Sequence, residues 1–151
     1  MVASLTTLLT IAAKPEAPIA CDFMTAADTP EERLAEYGRL FEHALTRRLR
    51  TADGVRFEFA GKPGVAERVT DLARREADCC PFMTYDVTTD ERTVTWYTTG
   101  PSDSTVQSIL DQFVALPDHT ASGLDGLVDR RAAAGTRVAG TTPTRFEVHE
   151  A

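Results

Sequence analysis

Between residues 29 and 48 the apolar positions recur at helical spacing, with Leu34, Tyr37, Phe41, Ala44 and Leu45 on one stripe. Thr29 as a cap, Pro30 at the first helical position and Glu32 in a capping box predict where this helix begins. Arg47 and Arg48 suit the negative end of its dipole, so the helix is expected to run to residue 48. After the turn at Asp53 and Gly54 the period changes to two. Val55, Phe57 and Phe59 alternate with Arg56 and Glu58, the pattern of a half-buried strand. "GKPG" interrupts the chain, and Val65, Val69, Leu72 and Ala73 then restore the helical period. Pro81 disfavours helical geometry at Cys80, so this second helix should end near there.

Two strands are expected at 82–88 and 93–98 around the polar turn "TTDER", with Tyr85, Val87, Val94 and Trp96 on the buried face. "GPSDS" then caps a third helix in which Val106, Ile109, Leu110 and Phe113 keep the period. From Pro117 onward the pattern dissolves among glycines, leaving one short helical stretch, "LDGLVDRRAAA", and a strand-like "RFEVH". The order α-β-α-β-β-α implies an α+β domain, a small antiparallel sheet covered by three helices. It occupies residues 19–116, between an N-terminal extension over 1–18 and a C-terminal tail over 117–151.

A length of 151 residues fits one domain, large enough to build a core without a disulfide scaffold. The formal charge is −7 and the basic residues are scattered among the acids, which argues against a nucleic-acid partner. No stretch is long and apolar enough to span a membrane. The opening "MVASLTTLLTIAA" lacks the Lys or Arg that precedes an export signal, and Lys14, Pro15, Glu16 and Pro18 separate it from "PIAC". The expectation is a cytoplasmic protein whose cysteines stay reduced.

The second helix carries the chemistry. Advancing about 100° per residue from Val65 places Glu76 and Cys79 on the same stripe as Val69 and Leu72, with Cys80 slightly to one side. A carboxylate on an apolar stripe is costly to bury and needs a reason. One reading is that the helix frays and Glu76 turns to water or pairs with an arginine, while the cysteines pack as small apolar residues. The other is that Glu76, Cys79 and Cys80 form a site.

"IACDF" ahead of a capped helix, then "DGVRFEF", "READCCPFMTYDV" and "VTWYTTGP", resembles a group of small bacterial proteins carrying Glu-x-x-Cys-Cys-Pro-Phe. Some of these are encoded near mercury-responsive or other metal-resistance regulators. The resemblance covers residues 19–115 and implies that Cys21, Glu76, Cys79 and Cys80 belong together.

Adjacent cysteines do not reproduce the knuckle spacing of structural zinc. A pair at the C-terminal end of a helix lacks the dipole that activates thioredoxin-like thiols. Neither "CP" nor His43, His119 and His149 makes a specific haem signal. A soft metal or metalloid ion, of the mercury(II), arsenic(III) or copper(I) class, fits Cys21, Cys79 and Cys80 better, with Glu76 taking up a thiol proton. The alternative is an enzyme acting on a small electrophile or an organometal, with Cys79 and Cys80 as nucleophile and second thiol and Glu76 as acid or base. A structural or interaction domain with packed cysteines is the third reading.

Overall fold

The computed structural model describes residues 6–21 and 26–120. The expectations for residues 124–134 and 145–149 lie outside them. Five strands make one antiparallel sheet: β1 (Thr7–Ile11), β2 (Leu45–Arg50), β3 (Gly54–Ala60), β4 (Thr84–Thr89) and β5 (Thr93–Thr99), in the order β1-β4-β5-β3-β2. Helices α1 (Pro30–Ala44), α2 (Val65–Cys79) and α3 (Ser104–Val114) pack against it, and a short α4 (Leu116–Thr120) leans on α1 and α3. The expected α+β class is present, with a larger sheet and one more helix than the periodicity implied.

Two of the five strands depart from the sequence reading. The opening apolar run, set apart as an extension, is the edge strand β1, with Leu9 opposite Val87 and Ile11 opposite Tyr85. An alternating segment beside an open strand edge gains a full ladder of backbone hydrogen bonds there. The second departure is at Leu45, where α1 has already ended and the chain passes without a loop into β2. Arg47 and Arg48 therefore lie on a strand paired with β3. Arg48 reaches the Val114 carbonyl and Asp118, and Arg50 reaches Asp111 and the Gln107 side chain, so this edge is tied to α3 and α4 by polar contacts.

The helices cover one face of the sheet. Val55, Phe57 and Phe59 of β3, Tyr85 and Val87 of β4, and Val94 and Trp96 of β5 are buried there against Tyr37, Leu40 and Phe41 of α1 and Val69 and Leu72 of α2. Their rings interlock: Phe113 meets Phe57 edge-on with centroids 5.1 Å apart and Trp96 at 5.4 Å. On the opposite face Arg56, Glu58, Asp86, Thr95 and Tyr97 point away from the helices and keep contact with solvent. No helix among the described residues is long and apolar enough to cross a membrane.

The capping box at Thr29 and Glu32 forms in both directions, at 2.8 and 3.1 Å. Asp103 caps α3 by accepting from the amides of Thr105 and Val106. Both caps fix the ends of elements that carry the core and, for α1, the loop that precedes it.

Candidate functional site

Helix α2 stays regular to Cys79, and the Cys80 amide still donates to the Glu76 carbonyl at 2.7 Å. Pro81 then turns the chain into β4, as its effect on the preceding residue predicts. The Tyr85 hydroxyl is shared between the carbonyls of Glu76 and Cys80, at 3.2 and 3.1 Å, which satisfies part of the helix terminus. The residue pair is thus held on an ordered end. Helix fraying, one of the readings open for Glu76, does not occur.

The segment after β1 runs past this turn. The Ala13 amide donates to Thr84 Oγ1 at 3.2 Å and the Lys14 amide to the Pro81 carbonyl at 2.8 Å. So guided, Cys21 meets Cys80 and the two are joined by a disulfide across 59 positions of sequence, with Cα atoms 4.5 Å apart. The expectation of three reduced thiols is corrected here: Cys79 is the free one, and it is buried. Cys21, placed with the pair only through the motif resemblance, is in covalent contact with one member of it.

Glu76 points where its stripe position predicts, toward the core side of α2, and it is met by an arginine. Arg33 of α1 is 3% exposed and its Nη1 donates both to Glu76 Oε1 at 3.0 Å and to Cys79 Sγ at 3.4 Å. Its other edge makes a two-pronged contact with Asp28, Nε to Oδ2 at 2.8 Å and Nη2 to Oδ1 at 2.6 Å. Such fork-to-fork pairing orients the guanidinium as well as neutralising it. Arg75 adds a second cation to Asp28 at 2.9 Å and bridges to Glu36 and Asp71. The carboxylate and the free thiol therefore share one nitrogen of one buried cation.

Protonation follows from this network. The Arg33 hydrogen bonds hold Asp28 down to about 2, against the desolvation that opposes them. Burial raises Glu76 above the usual carboxylate range, although Arg33 pulls the other way. Burial likewise raises the Cys79 thiol, again with Arg33 in opposition. Glu76 retains 16% side-chain exposure, so protons can reach it. Near it lies the buried Tyr37 hydroxyl, whose interaction with the carboxylate also opposes the rise.

Glu76 and Cys80 also line a cleft of about 30 Å³, together with Met83, Tyr85, Thr98, Ile109, Leu110 and Phe113. A larger, shallow groove of about 670 Å³ on the far side of α1, between Leu34, Gly38 and Pro117, contains none of the cysteines or Glu76. Among the described residues no three His, Cys, Asp or Glu side chains converge as a metal cluster. His43 lies exposed near the end of α1 and His119 within α4, and neither lines the cleft with Glu76 and Cys80.

Sequence reasoning allowed an arginine partner for Glu76, and one is present, but it did not identify Arg33, Asp28 or Arg75 as members of the network. The signal for Arg33 was present: it lies one turn before Tyr37 on the stripe that continues through Leu40, Phe41 and Ala44, all of them buried. A cation on an apolar stripe of α1 and an anion on an apolar stripe of α2 are the two halves of one pair. No protein-family model matches the chain, and no curated protein or solved structure shows significant similarity to it.

Proposed function

We propose that this protein binds a soft, thiophilic metal or metalloid ion of the mercury(II), arsenic(III) or copper(I) class through Cys21, Cys80 and Cys79, once the Cys21–Cys80 disulfide has been opened by a thiol reductant. The observation that supports the reading is the meeting of Cys21 with Cys80 beside Cys79 and Glu76. Two sulfurs brought within bonding distance from remote parts of a chain make a ready chelate for an ion that prefers thiolates. Each thiol must lose its proton to become a ligand, and Glu76 is placed to accept one. The position of the sulfurs at the C-terminal end of α2 disfavours free thiolates, whereas a bound cation removes that cost. The resemblance of "READCCPF" to proteins found near metal-resistance regulators is in keeping with this.

A second reading has one observation in its favour, the cleft that Glu76 and Cys80 share. There a thiolate attacks an electrophile or an organometal and the Glu76 carboxyl supplies the proton. The two readings separate by stoichiometry. Protein reduced with a dithiol and freed of it anaerobically is titrated with mercury(II) chloride and with arsenite, following thiolate-to-metal absorption. Saturation at a fixed ratio, lost in Cys21→Ser and Cys80→Ser, is the expected result; equal affinity in wild type and both variants overturns the proposal. Continued consumption of an organomercurial beyond saturation replaces it with the enzyme.

A further inference from the structure

We infer that β1 is an assembly edge: a second copy of this chain pairs with it antiparallel about a two-fold axis and joins the two five-stranded sheets into one. The two ends of the sheet are built differently. At one end β2 carries Arg47, Arg48 and Arg50, breaks register between Leu45 and Arg47, and is tied to α3 and α4. Charge and irregularity of that kind keep a strand edge from pairing with another chain. At the other end β1 reads "TLLTI", without a charge, a proline or a register break. β4 occupies one side of it, and no strand among the described residues takes the other. The amides that follow, at Ala13 and Lys14, engage Thr84 and the Pro81 carbonyl.

The side chains at this edge belong to an unfinished core. Leu9 and Ile11 pack on the core from the helix-covered face but are only half-buried. Leu8, on the opposite face, is 62% exposed, more than any other large apolar residue described. The edge also fits itself. A two-fold axis through Leu9 sets it beside the partner's Leu9, with Leu8 opposite the partner's Thr10 and Thr7 opposite the partner's Ile11. Each face then receives apolar or β-branched pairs, and no charge meets a charge. That self-matching favours a second copy over an unlike strand. A ladder of five residues is small beside the roughly 1,600 Å² of a standard stable interface, so the association is reversible and depends on concentration. The sulfurs play no part in it.

The test follows the mass of the full chain, disulfide intact, by sedimentation and light scattering across a concentration series. Wild type is expected to pass from monomer to dimer, with hydrogen exchange at the β1 amides slowing as it does. Leu8→Lys and Leu8→Glu each set like charges diagonally across the axis and are expected to raise the dissociation constant about tenfold. Position 8 is exposed, so neither charge enters the core, and circular dichroism checks the fold. Mixed in equal amounts the two variants are expected to associate again, which a mere loss of strand stability does not allow. Leu49→Glu, at the other edge, is expected to leave association unchanged. Wild type that stays monomeric throughout overturns the inference, and β1 amides protected at every concentration then give the edge to a segment of the same chain, such as 145–149. Association that both Leu8 variants retain, or that Leu49→Glu weakens equally, overturns it as well.

Discussion

Arg33 shows how much can hang on one nitrogen. Its Nη1 serves both Glu76 and Cys79, so removing the side chain strands a mostly buried carboxylate and leaves the thiol without its donor. Arg33→Met is expected to cost about 3 kcal/mol in denaturant unfolding, the lower end for breaking a buried pair because both acids keep some solvent contact. Arg33→Lys should recover part of this, since it restores the charge but not the fork. Glu76→Gln keeps the shape and removes the proton acceptor. The fold should survive, and the reaction of the reduced cysteines with a mercurial should slow on the order of a hundredfold, with a flatter pH profile. Superimposable profiles would make Glu76 a structural partner of Arg33 alone. At this scale the sequence showed an acid on the wrong stripe, and the angular position of Glu76 was enough to mark it. Its partner went unnamed because, although Arg33 lies on the buried stripe of α1, nothing local says which cation meets an acid 43 positions away.

Among the elements, the loop before α1 carries the clearest pH dependence. Folding holds Asp28 at about 2 against an ordinary 3.8, so its stabilising effect is complete above the unfolded value and is lost as pH falls through the folded one. Acid unfolding should therefore have a component between about pH 4 and 2 that Asp28→Asn removes, worth on the order of 2 kcal/mol. Glu76 has the opposite sign: its raised value means folding favours the acid form, and stability declines as pH rises through that value. The elements most legible in the sequence were those with a strong period and a punctuated end. α2 stops where Pro81 requires, and β3 and β5 follow their alternation. β2 was read as helix because Leu45 prolongs the stripe of α1, and no turn residue separates Ala44 from Leu45. What decides for a strand there is the open edge of β3, a tertiary partner rather than a local signal.

For the whole molecule, the Cys21–Cys80 bond is the covalent cross-link among the described residues. Closing a loop across 59 positions limits the unfolded chain, and reduction is expected to lower stability by about 4 kcal/mol, measurable as a fall in melting temperature on adding a dithiol. Cys21→Ser should match the reduced protein, and Cys79→Ser should still respond to the dithiol. A protein of this length needs no such bond to build a core, and the aromatic cluster under the sheet supplies one. That leaves the sulfurs available for chemistry.

The amide of Lys14 on the carbonyl of Pro81, with β1 zipped to β4 a few residues earlier, does not involve the disulfide and is expected to persist when that bond opens. The arm bearing Cys21 is then tethered, and its sulfur meets Cys80 at an effective concentration set by the tether rather than by free search. A chelate closed in this way loses little conformational freedom when the second sulfur engages. Escape of a bound ion should accordingly be governed by how firmly β1 holds. Replacing Leu9 with Pro, which disfavours the interior of a paired strand and touches no sulfur, is expected to shorten the lifetime of a complex bridged by Cys21 and Cys80 while the first sulfur–metal bond forms at an unaltered rate.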